Sequence, residues 1–334
     1  MSANKVNVCY QGVEGSVKRV LHSLPTTVSS KEVLIKITHT GLCGTDIHAI
    51  GCNSVLGHEG IGIVEAIGSE VTQLEIGDRV GGGFLRNSCG HCKYCLNGQD
   101  MWCYDRDIFM ESDGSRQNGT LADYYVGIET YVYKIPRVIS NEHATPLQCT
   151  RATVYSTLIE SVNPGQRVGI VGIGGLGHLA IQFAAKMGAD VAVFSSTAAK
   201  EEEARRFGAS EFCLLQEPGS INKPVDVLVI AGSAYPEWEK FLDKKVLARN
   251  GIVIPLSAPD SMNLPGGPML FNGYTMKMSL VATRKVHRDM LEFAALHSIK
   301  PTVETFELSD SGVAAALNKL KAGTMRYRGV LVAA

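Results

Sequence analysis

Residues 167–188 read RVGIVGIGGLGHLAIQFAAKMG, and this stretch decides the fold of the middle of the chain. It begins with an apolar run that predicts a buried strand, and it ends in a helical pattern. Between the two lies a G-x-G-x-x-G turn. Glycine permits a tight turn and lets backbone amides approach a pyrophosphate at the positive end of the following helix. The pattern therefore predicts a dinucleotide-binding turn made by Gly172, Gly174, Gly175, Leu176 and Gly177.

Short apolar runs alternate with helical segments on the C-terminal side of this turn. The runs DVAVFSS, VDVLVIAG and GIVIPLS are separated by segments such as KEEEARRFG and a helix containing Trp238. Alternating strands and helices predict βαβ units and a doubly wound parallel sheet. Residues 277–284, KMSLVATR, are predicted as the last strand of that sheet.

The residues about twenty positions beyond the glycines indicate which cofactor would bind. An NAD site carries an acidic residue there, which binds the adenosine ribose hydroxyls. This chain instead has Ser195, Ser196 and Thr197, with Lys200 close behind. Hydroxyls and a cation suit a 2′-phosphate, so NADP(H) is favoured over NAD(H). The alternative is that Lys200 is only a solvated residue in the first turn of the next helix.

Four cysteines cluster in residues 88–103, SCGHCKYCLNGQDMWC. Tetrahedral zinc takes four soft ligands, and short spacings on a tight loop can supply all of them. We therefore predict a closed structural zinc site made by Cys89, Cys92, Cys95 and Cys103. Two disulfides or four buried thiols are the alternative, although geometry disfavours bridges between such near neighbours. A site with four protein ligands leaves no position for a substrate.

The N-terminal third is predicted to be rich in β-strands, and it contains two further motifs, GLCGTDIH at 41–48 and GHEGIGIVEAIG at 57–68. Cys43, His58 and Cys149 are the remaining metal candidates, although their spacing alone does not join them. A single cysteine is more often a small buried hydrophobe, and a single histidine more often a satisfied hydrogen-bonding group. From the residues alone, a shared metal site is one of two open interpretations.

Composition excludes several classes of function. The 334 residues include 32 lysines and arginines against 33 acidic residues, for a formal net charge of -1. This balance gives no electrostatic reason to expect a nucleic acid or an anionic membrane as partner. Nine cysteines without a signal-like N-terminal region favour a reducing compartment, so we expect a cytoplasmic protein. The apolar stretch 168–188 contains His178, Gln182 and Lys186, which argue against a membrane span.

Taken together, these motifs resemble the zinc-containing medium-chain alcohol dehydrogenases, especially the cinnamyl alcohol dehydrogenase-like branch. The resemblance runs over nearly the whole chain and includes GLCGTDIH, GHEGIGIVEAIG, the four-cysteine loop, GIGGLGHLAIQFAAKMGA, SSTAAKEEEARRFGA and DMLEFAALHSIKP. It implies an α/β fold with a GroES-like, β-rich catalytic domain at 1–149 and 285–334. A Rossmann NADP-binding domain would occupy 150–284.

The resemblance also implies roles for individual residues. Cys43, His58 and Cys149 would hold a catalytic zinc, which makes two Zn2+ per chain with the four-cysteine site. Glu59 resembles the acidic neighbour of that metal, and Asp46 the carboxylate that orients the ligand histidine. By the same resemblance, a proton relay would run from the substrate oxygen through Thr45 and the nicotinamide ribose to His48. Arg328 is similar to an arginine that contacts the cofactor phosphates, although Arg326 is close enough to compete for that role.

The implied activity is interconversion of alcohols and aldehydes by hydride transfer with NADP(H), with aldehyde reduction as the expected direction. Two alternatives remain: an iminium or activated C=C reductase on the same fold, and a non-catalytic NADPH-binding protein. The expected partners are a small-molecule substrate and a second copy of the chain, paired through the edge segment KMSLVAT. The segment AIGCNSVL at 49–56 is shorter than the corresponding loop of the family that the chain resembles, so the pocket should differ there. Cys52 within it is interpreted as a structural thiol, with contact to zinc or substrate as the alternative.

Overall fold

The computed structural model describes residues 6–109, 118–257 and 261–334. The chain divides into two units, one formed by Met1–Cys149 with Thr283–Ala334 and the other by Thr150–Ala282. No helix in the described ranges is both long enough and apolar enough to span a membrane.

Strands dominate the N-terminal part of the chain, and strands alternate with helices in the rest. The strands are β1 (Val6–Val13), β2 (Ser16–Ser23), β3 (Glu32–Leu42), β4 (Gly60–Ile67), β5 (Arg79–Gly82), β6 (Leu85–Asn87), β7 (Asp107–Ile108), β8 (Tyr124–Ile128), β9 (Tyr133–Lys134), β10 (Arg167–Val171), β11 (Asp190–Ser195), β12 (Glu211–Leu214), β13 (Val225–Ile230), β14 (Leu247–Pro255), β15 (Thr275–Met276), β16 (Val303–Glu307) and β17 (Arg328–Val332). The α-helices are α1 (Gly44–Ala49), α2 (Lys93–Leu96), α3 (Asn141–Ala144), α4 (Thr150–Ile159), α5 (Gly177–Lys186), α6 (Glu201–Phe207), α7 (Trp238–Phe241), α8 (Gly266–Asn272), α9 (Arg284–Leu296) and α10 (Asp310–Lys321).

The first unit is built on a seven-stranded sheet, in which six strands follow the order β16-β17-β3-β4-β5-β9 and the seventh, β8, pairs with β3. Along β3, Val33, Ile35 and Ile37 are buried, because alternate side chains of a strand point to the same face. They pack with Val64 of β4 and Val80 of β5 into one apolar cluster. The C-terminal strand β17 pairs antiparallel with β3, so the end of the chain completes the N-terminal sheet.

The second unit contains a six-stranded sheet in the order β12-β11-β10-β13-β14-β15. All of its neighbouring strands are parallel. The order reverses between β10 and β13, and in doubly wound folds ligands bind at the carboxyl ends of the strands at such a reversal. The predicted α/β architecture with a Rossmann-type parallel sheet is therefore confirmed.

One predicted strand is wrong. The apolar pattern at 277–284 predicts the last strand of this sheet, but the edge strand β15 ends at Met276. The ladder continues only as far as the Lys277 amide, which donates to the carbonyl of Val253. Beyond it, residues 277–283 are not assigned to a strand, because an apolar run becomes a strand only where a neighbour accepts its backbone hydrogen bonds.

Helix α9 shows how a helical pattern can be read from sequence. Its N-cap Thr283 accepts a hydrogen bond from the Val286 amide at 3.4 Å, which satisfies one of the free donors of the first turn. The helix buries His287, Met290, Leu291 and Ala294. This spacing places all four on one face, as expected for an amphipathic helix.

Candidate active site and metal centres

Cys43, His58, Glu59 and Cys149 come together in the first unit. One ligand atom from each lies within 4.8 Å of the others. Cys43 is the N-cap of α1, His58 and Glu59 directly precede β4, and Cys149 follows a 3-10 turn at Thr145–Gln148. Because strand β4 pairs with β3, which leads into Cys43, the sheet holds two of the three segments side by side. The fold thus joins residues that sequence spacing could not connect.

Asp46 organises this cluster. Its side chain is fully buried, and its Oδ2 accepts a hydrogen bond from the Cys43 amide at 2.9 Å. Its Oδ1 accepts from the Gly57 amide at 2.9 Å and lies 3.2 Å from Nδ1 of His58. The carboxylate therefore fixes the orientation of the imidazole and leaves Nε2 as the nitrogen available to a metal.

His58 Nε2 provides the test of whether a metal fits. This atom is fully buried and makes no hydrogen bond within the described part of the chain. A buried polar atom without a partner is costly, and a metal ion beside two thiols would satisfy it. The rings of Phe84 and Phe109 lie against the imidazole, with centroids at 5.7 and 4.6 Å. Two sulfurs and one imidazole nitrogen form a donor set of the kind found in catalytic zinc sites that keep one position open.

The local charges act strongly on the titratable groups of the cluster. Burial disfavours the charged form of His58, but the Asp46 carboxylate and the Cys43 sulfur together outweigh it and raise the pKa of His58 to about 10. A hydrogen bond from Cys149 lowers the pKa of Cys43 well below its ordinary value, against the opposing effect of burial. Cys43 is therefore readily present as the thiolate, the form that binds metals.

Glu59 forms a buried ion pair with Arg328 of β17. Both carboxylate oxygens of Glu59 accept from Nη2 of Arg328, and the two side chains are nearly inaccessible to solvent. An acid and a base buried together stabilise each other's charged form, and removal of either would leave an uncompensated charge. The family resemblance implies contact of Arg328 with the cofactor phosphates, and that role stays a prediction beside the ion pair.

The predicted relay residues lie on α1. Thr45 is half-buried, and its Oγ1 is 3.6 Å from Sγ of Cys43, whereas His48 is exposed. Cys52 is also exposed, with its Sγ 4.0 Å from the His48 carbonyl oxygen. It belongs to neither metal-ligand group in the described ranges.

Cys89, Cys92, Cys95 and Cys103 form a second cluster, again with ligand atoms within 4.8 Å of one another. The sulfur separations are 3.5 Å for Cys89 and Cys103, 3.6 Å for Cys92 and Cys95, and 4.0 Å for Cys89 and Cys95. These separations are too long for disulfides. Two sulfurs bound to one tetrahedral zinc at about 2.3 Å lie roughly 3.8 Å apart, so the geometry fits the metal.

Backbone amides and one hydroxyl complete this four-cysteine site. The amides of Cys89 and Cys92 each lie 3.4 Å from a cluster sulfur, and Ser88 Oγ lies 3.2 Å from Sγ of Cys95. Ser88 also contacts the hydroxyl of Tyr131 at 2.7 Å, and that hydroxyl donates to Asp100 at 3.2 Å. Tyr131 and Asp100 could not be found from the sequence, since nothing in their spacing distinguishes them from ordinary core residues.

The glycine-rich turn lies between β10 and α5, as predicted. A Cβ on Gly177 would approach the Gly172 carbonyl oxygen to 1.8 Å, so only glycine allows the helix to start this close to the turn. A Cβ on Gly174 would meet nothing within 4 Å, which leaves the backbone open to a ligand. Gly175 and Leu176, the other predicted residues, are partly exposed at the same turn. The turn therefore fits a bound pyrophosphate at the start of α5.

The residues predicted to select the cofactor follow β11. Ser195 is buried and its hydroxyl donates to the Thr197 carbonyl at 3.0 Å, whereas Ser196 and Thr197 are exposed. Thr197 Oγ1 accepts from the Ala199 amide at 3.3 Å. Lys200 Nζ donates to the Ile173 carbonyl at 2.8 Å, within the glycine-rich turn. The structure thus brings Lys200 to the predicted dinucleotide site, and its contact with a 2′-phosphate remains a prediction.

Two family models match the chain. Residues 29–137 match the alcohol dehydrogenase GroES-like domain, and residues 147–251 match the NAD binding domain of D-isomer specific 2-hydroxyacid dehydrogenases. A probable formaldehyde dehydrogenase of Bacillus subtilis is 35% identical, over 90% of this chain and 89% of its own length. The NADP-dependent alcohol dehydrogenase C 1 of Mycolicibacterium smegmatis is 31% identical over 91% of each chain.

Solved structures are also similar to this chain, and two of them serve as examples. A cinnamyl alcohol dehydrogenase of Sorghum bicolor has a TM-score of 0.89 at 28% identity and covers 98% of each chain. The enzyme of the same class from Helicobacter pylori, solved with NADP(H), has a TM-score of 0.88 at 27% identity and the same coverage. The fold, the glycine-rich turn and the two clusters define a medium-chain dehydrogenase. The chain belongs to the alcohol dehydrogenase family, in the cinnamyl alcohol dehydrogenase-like branch, so it is an oxidoreductase of alcohols and aldehydes.

Proposed function

We propose that this chain is a zinc-dependent alcohol dehydrogenase that uses NADP(H) and works chiefly as an aldehyde reductase. The observation that carries the proposal is the cluster of Cys43, His58 and Cys149, in which a buried imidazole nitrogen lacks a hydrogen-bond partner within the described residues. These three residues would hold a catalytic zinc and leave a fourth position for substrate. The four-cysteine site would hold a second, structural zinc.

When bound, zinc acts as a Lewis acid that polarises the substrate carbonyl. The chain's own residues perform the other tasks. Asp46 holds the imidazole of His58 in one orientation and tautomer. The Thr45 hydroxyl, close to Cys43, is suited to donate a hydrogen bond to the substrate oxygen. The exposed His48, on the same helix, is suited to exchange the proton with solvent.

The cofactor proposal rests on the residues after β11. No carboxylate occupies 195–200, and Lys200 brings a cation to the glycine-rich turn. A 2′-phosphate would be attracted there, whereas a carboxylate would repel it. The Mycolicibacterium smegmatis relative is named as NADP-dependent, and the Helicobacter pylori enzyme was solved with NADP(H), which agrees with this choice. NADPH is the usual reductant of biosynthesis, so reduction is the proposed direction.

A homodimer and a cytoplasmic location are further parts of the proposal. The segment KMSLVAT, expected to pair with a second chain, directly follows β15 instead of forming a strand itself. Strand β15 is an edge of the six-stranded sheet, and an edge strand offers backbone groups to a second chain. Size measurement in solution tests the dimer, and a monomer at micromolar concentration would contradict it.

The decisive test is oxidation of NADPH and NADH by the purified, zinc-loaded protein with aromatic, allylic and aliphatic aldehydes. We expect turnover with NADPH that exceeds turnover with NADH and is lost when the metal is chelated. Faster turnover with NADH would contradict the role given to Ser195, Ser196 and Lys200. No turnover with any aldehyde, despite two bound zinc ions, would favour an iminium or C=C reductase or a non-catalytic binder.

A further inference from the structure

Gln148, the residue before Cys149, is held by hydrogen bonds on both ends of its amide. Its side chain is 1% exposed. Its Nε2 donates to the Ala144 carbonyl at 3.0 Å, and its Oε1 lies 3.1 Å from Nε2 of His287, 139 positions along the chain. Because the amide nitrogen is committed to Ala144, the oxygen is the acceptor and His287 is the donor.

His287 is itself held firmly. It lies on the buried face of α9, and its ring stacks on that of Tyr133 with centroids 3.9 Å apart and planes at 8°. Burial, together with the nearby charge of Arg288, lowers the pKa of His287 to about 3. The ring is therefore neutral at physiological pH and carries a single N–H, which the bond to Gln148 places on Nε2.

Strand β5 also packs against the side-chain amide of Gln148. A Cβ on Gly81 would lie 2.8 Å from Cδ of Gln148, so the amide packs directly on the backbone of this strand. Gly81 pairs with Ile61 of β4, the strand that begins directly after His58 and Glu59. Gln148 therefore lies between helix α9 and strands β4 and β5, of which β4 begins directly after His58 and Glu59.

We propose that the hydrogen bond from His287 to Gln148 positions Cys149 as a metal ligand. Asp46 holds Cys43 and His58 through a backbone amide and an imidazole nitrogen, but it makes no hydrogen bond to the 3-10 turn that carries Cys149 among the described contacts. The contact from α9 supplies the constraint on that side of the cluster. His287 is a positioning residue, because its hydrogen bond to Gln148 and its ring stack on Tyr133 join it to residues that are not metal ligands. The inference rests on the proposed function, because it assumes that the cluster binds zinc.

The test is His287→Phe, which keeps an aromatic ring against Tyr133 and removes the hydrogen-bond donor to Gln148. The matched control is His297→Phe, since His297 ends the same helix and also contacts an aromatic ring, that of Phe293 at 4.2 Å. Zinc per chain is measured after dialysis, and zinc release into a chromogenic chelator is followed with time. Residues that orient metal ligands typically contribute 10- to 100-fold in metal affinity. We therefore expect one of two zinc ions to leave roughly 10- to 100-fold faster in His287→Phe, and neither to do so in His297→Phe.

Gln148→Leu removes the same hydrogen bond from the other side and leaves α9 unchanged. We expect the same accelerated release, and we expect the double variant to release zinc no faster than either single one, as for two partners of one interaction. Wild-type release rates for both ions in a folded His287→Phe or Gln148→Leu variant would overturn the inference. A wild-type protein that binds only one zinc would instead overturn the proposed function.

Discussion

The two metal-ligand clusters of this chain are built in opposite ways. The four-cysteine site takes all its ligands from one loop, residues 89–103, and the amides of that same loop contact its sulfurs. The cluster of Cys43, His58 and Cys149 takes each candidate ligand from a different segment, and the pairing of β3 with β4 holds two of these segments side by side. A cluster of four neighbouring cysteines can thus be encoded locally, whereas a cluster with residues from distant segments is assembled by the fold.

Their electrostatic surroundings differ as well. The ligands of the four-cysteine site are all sulfurs, and a hydroxyl and backbone amides contact them. The second cluster includes buried Asp46, Glu59 and Arg328. Buried charges cost desolvation energy and are retained where the chemistry needs them. This difference predicts that damage to the two clusters affects different properties of the protein.

The largest expected effect comes from Cys43→Ser, which replaces one thiolate of the assembled cluster. Zinc polarisation supplies several kcal/mol of transition-state stabilisation, and each 1.36 kcal/mol changes a rate tenfold, so aldehyde turnover should fall by about 1000-fold or more. The measurement is kcat/KM with NADPH, together with the melting temperature, which should change little. The same substitution at Cys52, which is exposed and outside both clusters, is the control. Undiminished turnover in Cys43→Ser would refute the assembled site.

The next effect is that of Cys92→Ser in the four-cysteine site. Loss of a structural metal ligand is among the mechanisms that destabilise a protein by about 4 kcal/mol. This corresponds to a fall of roughly 10 °C in the melting temperature for a domain of this size. Calorimetry should detect this fall, while the kcat of the protein that remains folded should stay near the wild-type value. If turnover fell by about 1000-fold in fully folded protein, the division of roles between the clusters would be wrong.

The smallest effect is expected from Ser88→Ala, which removes the hydroxyl between Cys95 and Tyr131. One such hydrogen bond contributes about 1 kcal/mol, so stability should fall by that amount in denaturant titration. Zinc should leave the four-cysteine site faster, while the other zinc is released at the wild-type rate. Ser16→Ala, at an exposed serine in the first hairpin, serves as the comparison. Equal effects on both metals would show that the clusters are not independent.

The local sequence was sufficient to predict the glycine-rich turn and the clustering of the four cysteines in one loop. In both, the residues that act together lie within about twenty positions, and their chemistry imposes a spacing that can be read directly. The prediction that Cys43, His58 and Cys149 share one site came from the resemblance to a family. The number of residues between them does not by itself indicate a shared site. The prediction of a strand at 277–284 was wrong, because hydrophobicity does not specify whether a neighbouring strand is present to share backbone hydrogen bonds.

The sequence alone determined the parallel βαβ series, the glycine-rich turn and the four-cysteine loop, because each depends on periodicity or on short-range geometry. The family resemblance led us to expect that Asp46 orients His58, but only the tertiary structure decided that Asp46 also accepts from the Cys43 amide. It likewise decided that Arg328 pairs with Glu59 and that His287 reaches Gln148. These contacts join distant segments and depend on strand order and register. Strand order and register are set by the packing of the whole unit, which no single stretch of the chain specifies.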